Sequence, residues 1–333
     1  MVSDASQKRP DLRDELRPRQ ERIEAALKEA LRRVTSHGPA AVADAMAYCL
    51  FAPGKRLRPI LVMLACEAAG GSTELSLPAA CAVEMVHTYS LIHDDLPAMD
   101  DDDLRRGLPT CHRKFGEALA ILAGDALLTA AFEVLATSYP PRTAAVSCLE
   151  LAKGAGAVGM VGGQTLDLIA EGRIETQETG DRRQETEKQS DQPFLISDSR
   201  LLTPDSRLED VHARKTGALF RSSLRLGVHA AQAERPAGTN PETLSAADQY
   251  AAAFGLAFQV TDDLLDVEST ADKAGKRVGK DAARGKLTYP GLLGVEESRR
   301  KAAELGRQAV AAAERLGSPL LASLAQYVVT RER

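Results

Sequence analysis

From Ile23 onward the apolar residues Ala26, Leu27, Ala30, Leu31 and Val34 fall at three- and four-residue steps with Glu and Arg between them. That spacing lines one face of an α-helix and cannot line one face of a strand. The same Ala- and Leu-rich texture returns over 60–70, 78–93, 116–137, 143–170, 208–233, 243–267 and 296–315. Alternating runs of β-branched residues are missing, so no strand is predicted anywhere. Breaks fall at Ala52-Pro53-Gly54, Gly70-Gly71, Pro140-Pro141, Pro236 to Pro241 and Gly317 to Pro319. A chain of 333 residues, 44% hydrophobic, can bury a large core. Built of helices alone it is expected to be all-α, a single large bundle roomy enough to enclose a central cavity, with residues 1–333 forming one domain.

The formal net charge of −5 gives no sign of the basic surface a nucleic-acid binder carries. Cys49, Cys66, Cys81, Cys111 and Cys148 are odd in number and widely spaced, without a CxxC pair, and read as reduced thiols of a cytoplasmic protein. Residues 1–19 are too polar for the apolar heart of a secretory signal. The apolar run Ala118 to Ala136 is interrupted by Asp125 and Glu133, so no membrane span is expected. One stretch differs from the rest: between Arg173 and Gln192 only Ile174 is a sizeable apolar residue. Such a segment cannot bury itself, and about 173–207 reads as an exposed polar loop inserted between two helices.

The strongest chemical signal is Asp94, Asp95 and Asp100 to Asp103, directly after the apolar run Val83 to Ile92. Carboxylates packed this closely raise one another's pKa unless a cation offsets them. Hard oxygen ligands favour magnesium, which is usually held by a few carboxylates together with substrate phosphate oxygens. A solvated acidic loop is the rival reading. It weakens because a second cluster, Asp262, Asp263 and Asp266, stands in the apolar segment that begins at Ala251. Asp262 and Asp266 are four apart and share a helix face, where like charges destabilise the helix. Costly placement of this kind points to function.

Basic groups accompany both clusters. Lys55, Arg56 and Arg58 follow the turn at Gly54, and Arg105-Arg106-Gly107 follows the first acidic run. His212-Ala-Arg-Lys215-Thr216-Gly217 is a third group, and Lys276, Lys280 and Lys286 a fourth. Arginine forks and lysine point charges suit phosphate oxygens.

In this order the motifs Gly54-Lys-Arg-Leu-Arg-Pro59, Asp94-Asp-Leu-Pro-Ala-Met-Asp100 running on to Arg105-Arg106-Gly107, Lys215-Thr216-Gly217, and Gln259 followed by Asp262-Asp-Leu-Leu-Asp266 resemble those of trans-type short-chain polyprenyl diphosphate synthases, bacterial farnesyl diphosphate synthases most closely. The resemblance covers most of the chain and departs from the pattern at 173–207. It implies the isoprenoid synthase type of helical bundle, a homodimer, and head-to-tail condensation of isopentenyl diphosphate with the allylic dimethylallyl and geranyl diphosphates. Asp94, Asp100 and Asp262 would hold several magnesium ions, with manganese as a substitute. Arg105, Lys215, Gln259 and Lys276 would hold the allylic diphosphate. Lys55, Arg58, His87 and Arg106 would hold isopentenyl diphosphate, and Thr216 with nearby carbonyls would stabilise the cation. Asp95, Asp101 and Asp266 rank below the three chosen aspartates, and His93 and His112 are left outside the site.

Tyr89 lies five residues before Asp94, about 7.5 Å along a helix, where its ring either closes the hydrocarbon cavity or is an ordinary buried aromatic with its hydroxyl satisfied. The resemblance associates a bulky aromatic here with the fifteen-carbon product, farnesyl diphosphate; geranylgeranyl diphosphate is the alternative. A terpene cyclase would carry Asn, Ser and Glu ligands downstream in place of Asp262-Asp263-Leu-Leu-Asp266. A head-to-head synthase would not need the Lys55 to Arg58 group. An inactive regulatory subunit would not need both acidic motifs.

Overall fold

The computed structural model describes residues 11–174, 204–233, 240–272 and 288–331. The fold is all-α. Its helices are α1 Leu12–Val34, α2 Ala40–Leu50, α3 Leu57–Ala68, α4 Thr73–Asp94, α5 Cys111–Phe115, α6 Glu117–Ser138, α7 Pro141–Ala155, α8 Met160–Ala170, α9 Pro204–His212, α10 Ala218–Ala230, α11 Pro241–Asp272, α12 Tyr289–Leu293, α13 Val295–Arg315 and α14 Pro319–Thr330.

Helix α1 begins well before Ile23, with the Asp11 carboxylate accepting from the Arg13 amide at 3.0 Å. Its inward stripe is the predicted one, since Ile23, Leu27, Ala30 and Leu31 are buried. Helix α4 is the centre of the bundle, with α1, α3, α6 and α10 packed around it. Its buried residues run all round the axis, from Ser76 to Ile92, because no side faces water. The long helix α11 serves two core clusters: Ala246 to Phe254 join the main one, and Ala257, Val260 and Leu264 join a smaller one with Leu208, Tyr289 and Leu305.

Three expectations are corrected. The segment 143–170 is two helices, because Gly156 and Gly159, three apart, put two flexible backbone positions at the break between them. The segment 208–233 is interrupted by a π-helical turn at Ala213–Gly217. A small antiparallel hairpin, β1 Leu104–Arg105 and β2 Leu108–Pro109, exists where no strand was expected. It turns on Arg106 (φ 54°) and Gly107 (φ 81°), the left-handed pair that a two-residue hairpin turn requires. Two residues per strand are too few to leave a periodic signal.

By length and composition Thr73–Asp94, Glu117–Ser138 and Pro141–Ala170 are apolar enough to cross a membrane, so Asp125 and Glu133 do not decide the matter. The first is 67% buried inside the bundle, the others 44% and 39%. Exposed apolar side chains are Ile121 and Leu122 on α6, Leu149 on α7, Val158 in the link that follows, and Val161 on α8.

Candidate active site

A cavity of about 560 Å³ opens between α4, α6, α8 and the π-helical turn, a size suited to a small ligand. Leu96, Met99, Ile121, Met160, Val161 and Leu168 make it apolar, while Arg58, His87, Asp94, Lys215 and Thr216 gather at its polar end. Tyr89, 6% exposed, stands in its wall.

Asp94 is the last residue of α4 and Asp95 its cap. A carboxylate there meets the negative end of the helix dipole, so the placement is unfavourable without nearby cations. Burial pushes the Asp94 carboxyl up to about 6; Lys215 opposes the shift, and the charge of Asp100 adds to it. Asp100 is folded back beside it, its amide donating to the Asp94 carbonyl at 2.8 Å. Arg105, on β1, grips Asp95 with both Nε contacts, at 2.8 and 2.9 Å, and an Nη2 contact at 2.6 Å. Arg106 reaches the other way and donates to the Pro53 carbonyl at 2.7 Å, packed against Gly54. The hairpin thus ties the first acidic motif to the early basic turn.

That turn is anchored by a residue whose role the sequence did not reveal. Arg56, 4% exposed and at φ 50°, donates to Glu24 at 2.6 Å, to Glu84 at 2.8 Å and to the Leu50 carbonyl at 2.8 Å. Its neighbours Lys55 and Arg58 are left to face the site. Arg58 lies over the Phe220 ring at 4.7 Å and donates to the His87 ring nitrogen at 3.3 Å. Burial lowers the Arg58 guanidinium to about 10, with Glu84 opposing. Burial first, then Arg58, Arg106, Arg105 and Arg56, holds the His87 imidazole well below its ordinary value.

Lys215 and Thr216 sit in the π-helical turn, an irregularity that interrupts the regular hydrogen-bond ladder and is frequent at functional sites. The close approach of α8 depends on Gly163, where a Cβ would stand 2.1 Å from the Lys215 amide nitrogen. Lys215 donates to Asp167 at 2.5 Å. Asp167 and Gln164, polar residues set into the largely apolar α8, were a weaker signal than the like charges Asp262 and Asp266, and nothing in the sequence singled them out.

The second acidic motif lies on α11, where Gln259 stands three residues before Asp262 and so near one face with it. Asp262 is bonded to Arg331, whose guanidinium covers the Phe258 ring at 4.2 Å; Lys55 also exerts its charge on Asp262. Asp263 accepts from the Tyr289 amide at 2.9 Å, a structural role. Arg173 approaches Asp100 at 3.8 Å and donates to the Met99 and Ala98 carbonyls. Arg331 and Arg173 had no sequence signal, being single basic residues far from any motif.

Asp94, His87, Tyr89, Arg58, Lys215 and Thr216 therefore share one cavity; Asp262 is coupled to it through the charge of Arg58, and Lys55 through Asp262. Asp100, Arg105 and Arg106 do not line it; Arg105 and Arg106 line a separate small cleft together with Asp95. Lys276, like Lys280, Lys286 and most of 173–207, lies outside the described residues. Among the described residues no three acidic, His or Cys side chains cluster as a complete metal cage. The donor set nonetheless fits magnesium: its oxygens are hard, the buried Asp94 is short of positive charge, and a ligand's phosphate oxygens would complete the shell.

The family model for polyprenyl synthetases matches residues 39–316. A farnesyl diphosphate synthase of Escherichia coli (strain K12) is 44% identical over 301 residues, covering 88% of this chain and 90% of its own length. A chloroplastic geranylgeranyl pyrophosphate synthase of Catharanthus roseus is 41% identical over 324 residues, covering 93% and 78%. The crystal structure of a geranyltransferase from Legionella pneumophila superposes with a TM-score of 0.76 at 29% identity, covering 96% of this chain and 98% of that one.

Proposed function

Because the chain belongs to the polyprenyl synthetase family and is a prenyltransferase that condenses prenyl chains, we propose that it is a farnesyl diphosphate synthase, adding isopentenyl diphosphate to dimethylallyl and then geranyl diphosphate. The observation that carries the choice of product is Tyr89, buried in the wall of the cavity below Asp94 and braced edge-on by His93 at 5.7 Å. Relatives of both product lengths align about equally well, so geranylgeranyl diphosphate is the second reading.

In this reading Arg105, Lys215, Gln259 and Lys276 hold the allylic diphosphate, with Asp94, Asp100 and Asp262 facing it. Magnesium bound there would neutralise the diphosphate and make it a leaving group. Lys55, Arg58, Arg106 and the neutral His87 orient isopentenyl diphosphate so that its double bond lies beside the allylic carbon. The apolar wall of Leu96, Met99, Ile121 and Met160 keeps water from the cation formed when the carbon–oxygen bond breaks. Thr216 and the carbonyls of the π-helical turn face that cation, the double bond attacks it, and the departing pyrophosphate accepts the proton then lost. No nucleophilic side chain takes part.

The chain reads as one cytoplasmic domain without a membrane span, acting as a homodimer. Ile121 and Val161 both line the cavity and lie exposed on the apolar face of α6 and α8, so a second copy packed there would close the cavity's side as it buries the face. Light scattering should give twice the chain mass.

The deciding experiment is incubation of the purified chain with radiolabelled isopentenyl diphosphate and dimethylallyl diphosphate, followed by chromatography of the dephosphorylated products. A fifteen-carbon alcohol as main product is expected. Asp94→Ala, well folded by circular dichroism, should lose on the order of 100- to 1,000-fold in turnover or more. A twenty-carbon main product would replace this reading with the second, and no product at all would remove both.

A further inference from the structure

Gln164 lies on α8 in the wall of the cavity, and its side-chain oxygen Oε1 is buried yet accepts no hydrogen bond from any of the described residues. A buried acceptor left without a donor costs free energy, and such groups are rare enough in folded proteins to call for a reason. Its polar neighbours in the wall are satisfied: the Thr165 hydroxyl donates to the Val161 carbonyl at 2.9 Å, and the Ser90 hydroxyl to the His87 carbonyl at 2.8 Å. The packing of α8 fixes where Gln164 stands. Gly163, just before it, approaches the π-helical turn so closely that a Cβ would clash with the Lys215 amide nitrogen, and Asp167, three residues on, accepts from the Lys215 ammonium at 2.5 Å. Gln164 is thereby held next to the turn that carries Lys215 and Thr216, at the polar end of the cavity.

The chemistry of the atom limits what it can meet. An ionised diphosphate carries only acceptor oxygens and a prenyl chain only carbon and hydrogen, so neither part of the substrates offers a donor to an amide carbonyl. Arg58 supplies the contrast: its Nε is a buried donor in the same cavity, unpartnered among the described residues, and a donor fits a diphosphate oxygen. An acceptor without a donor fits positive charge. We propose that Gln164 is a further catalytic residue, whose side-chain carbonyl faces the allylic carbon and stabilises the positive charge that develops there as the diphosphate departs. The assignment rests on the reading of this chain as a head-to-tail prenyltransferase. In that step the carbon–oxygen bond breaks and its electron pair leaves with the diphosphate. The carbon stays positive until the isopentenyl double bond supplies the pair for the new carbon–carbon bond, and the cation so formed loses a proton to the pyrophosphate. Gln164 makes and breaks no bond. Its dipole is oriented beforehand by the packing of α8, and in an apolar cavity a dipole that need not reorganise acts strongly on a nearby charge.

The test compares the unmutated chain with Gln164→Leu in a single turnover, by rapid quench with enzyme in excess over radiolabelled geranyl diphosphate and with isopentenyl diphosphate saturating. The rate of product formation should fall on the order of 100-fold in the variant. The Kd of geranyl thiolodiphosphate, which binds but hardly ionises, should stay unchanged. Because leucine removes a buried acceptor that has no donor, the melting temperature should hold or rise, the opposite of what loss of a residue serving only the fold would give. An undiminished rate in Gln164→Leu would overturn the proposal, and so would a loss carried wholly by a weaker Kd for the analogue. If Gln164→Leu does not fold, Gln164→Met carries the same comparison. An unmutated chain that forms no product from these two substrates would instead remove the underlying reading of the enzyme, and the role of Gln164 with it.

Discussion

Arg331 donates to the carboxylate of Asp262 at 2.5 Å, across 69 residues, and covers the Phe258 ring on the same helix. The chain's last described turn therefore supplies a counter-charge to the second acidic motif. Asp262 is 42% exposed in its side chain and Arg331 only 5%, so the cation is the more deeply fixed of the two.

A divalent cation drawn to Asp262 must compete with this resident guanidinium. Arg331→Ala is expected to strengthen magnesium binding several-fold in the absence of diphosphate, read by isothermal titration calorimetry, and to cost about 1–3 kcal/mol of stability from the lost charged hydrogen bond. Weaker magnesium binding in the folded variant would show that Arg331 supports the metal site instead of guarding it.

Arg56 is expected to matter for the fold before it matters for chemistry. Arg56→Ala leaves Glu84, 3% exposed, as a buried charge without its partner and frees the turn that presents Lys55 and Arg58. Breaking a buried pair in this way costs about 3–5 kcal/mol. Chemical denaturation should show that loss; a variant of unchanged midpoint would mean that Glu84 finds another partner.

His87 gives the protein an acid sensitivity of known sign. Its folded pKa lies well below the ordinary 6.5, so the unfolded chain takes the proton first as pH falls. The contribution to stability is intact above pH 6.5 and drains away below it, by up to about 1.4 kcal/mol per pH unit. In His87→Gln the melting temperature should fall less steeply between neutral and acid pH. Parallel melting curves for the two proteins would place the proton elsewhere.

Tyr89→Ala should open the cavity wall and move the product toward twenty carbons or longer, while the first condensation changes little. Tyr89 is braced by His93, whose ring nitrogen meets the Ile121 carbonyl at 3.1 Å and packs on Gly124, so the wall beyond the tyrosine stays standing when its ring is removed. An unchanged product distribution in the active variant would assign length control to another residue.

The helical class was legible because it rests on local chemistry: residues three and four apart, as at Ile23, Leu27, Ala30 and Leu31, share a face wherever the helix is placed. The aspartates and most of the basic groups stood out for a similar reason, as charges dense in sequence or set into apolar helices at a visible cost. Hidden from the sequence were the features made by pairs distant along the chain. These are the anchoring of Arg56 by Glu24 and Glu84, and the grip of Lys215 on Asp167 and of Arg331 on Asp262. The hairpin at Arg106-Gly107 was hidden too, being shorter than any period that could announce it.

By itself, then, the sequence determined that this chain is a helical bundle carrying two acidic motifs and the cations to match them, since propensity, periodicity and charge density are properties of neighbours in the chain. Only the tertiary structure decided which cation meets which carboxylate, that Asp94 is buried enough to rise to about 6, and that Tyr89 stands in the wall of the same cavity. The physical reason is that desolvation and pairing depend on what surrounds a side chain in space, and helices crossing at the bundle's centre bring together residues that no local pattern connects.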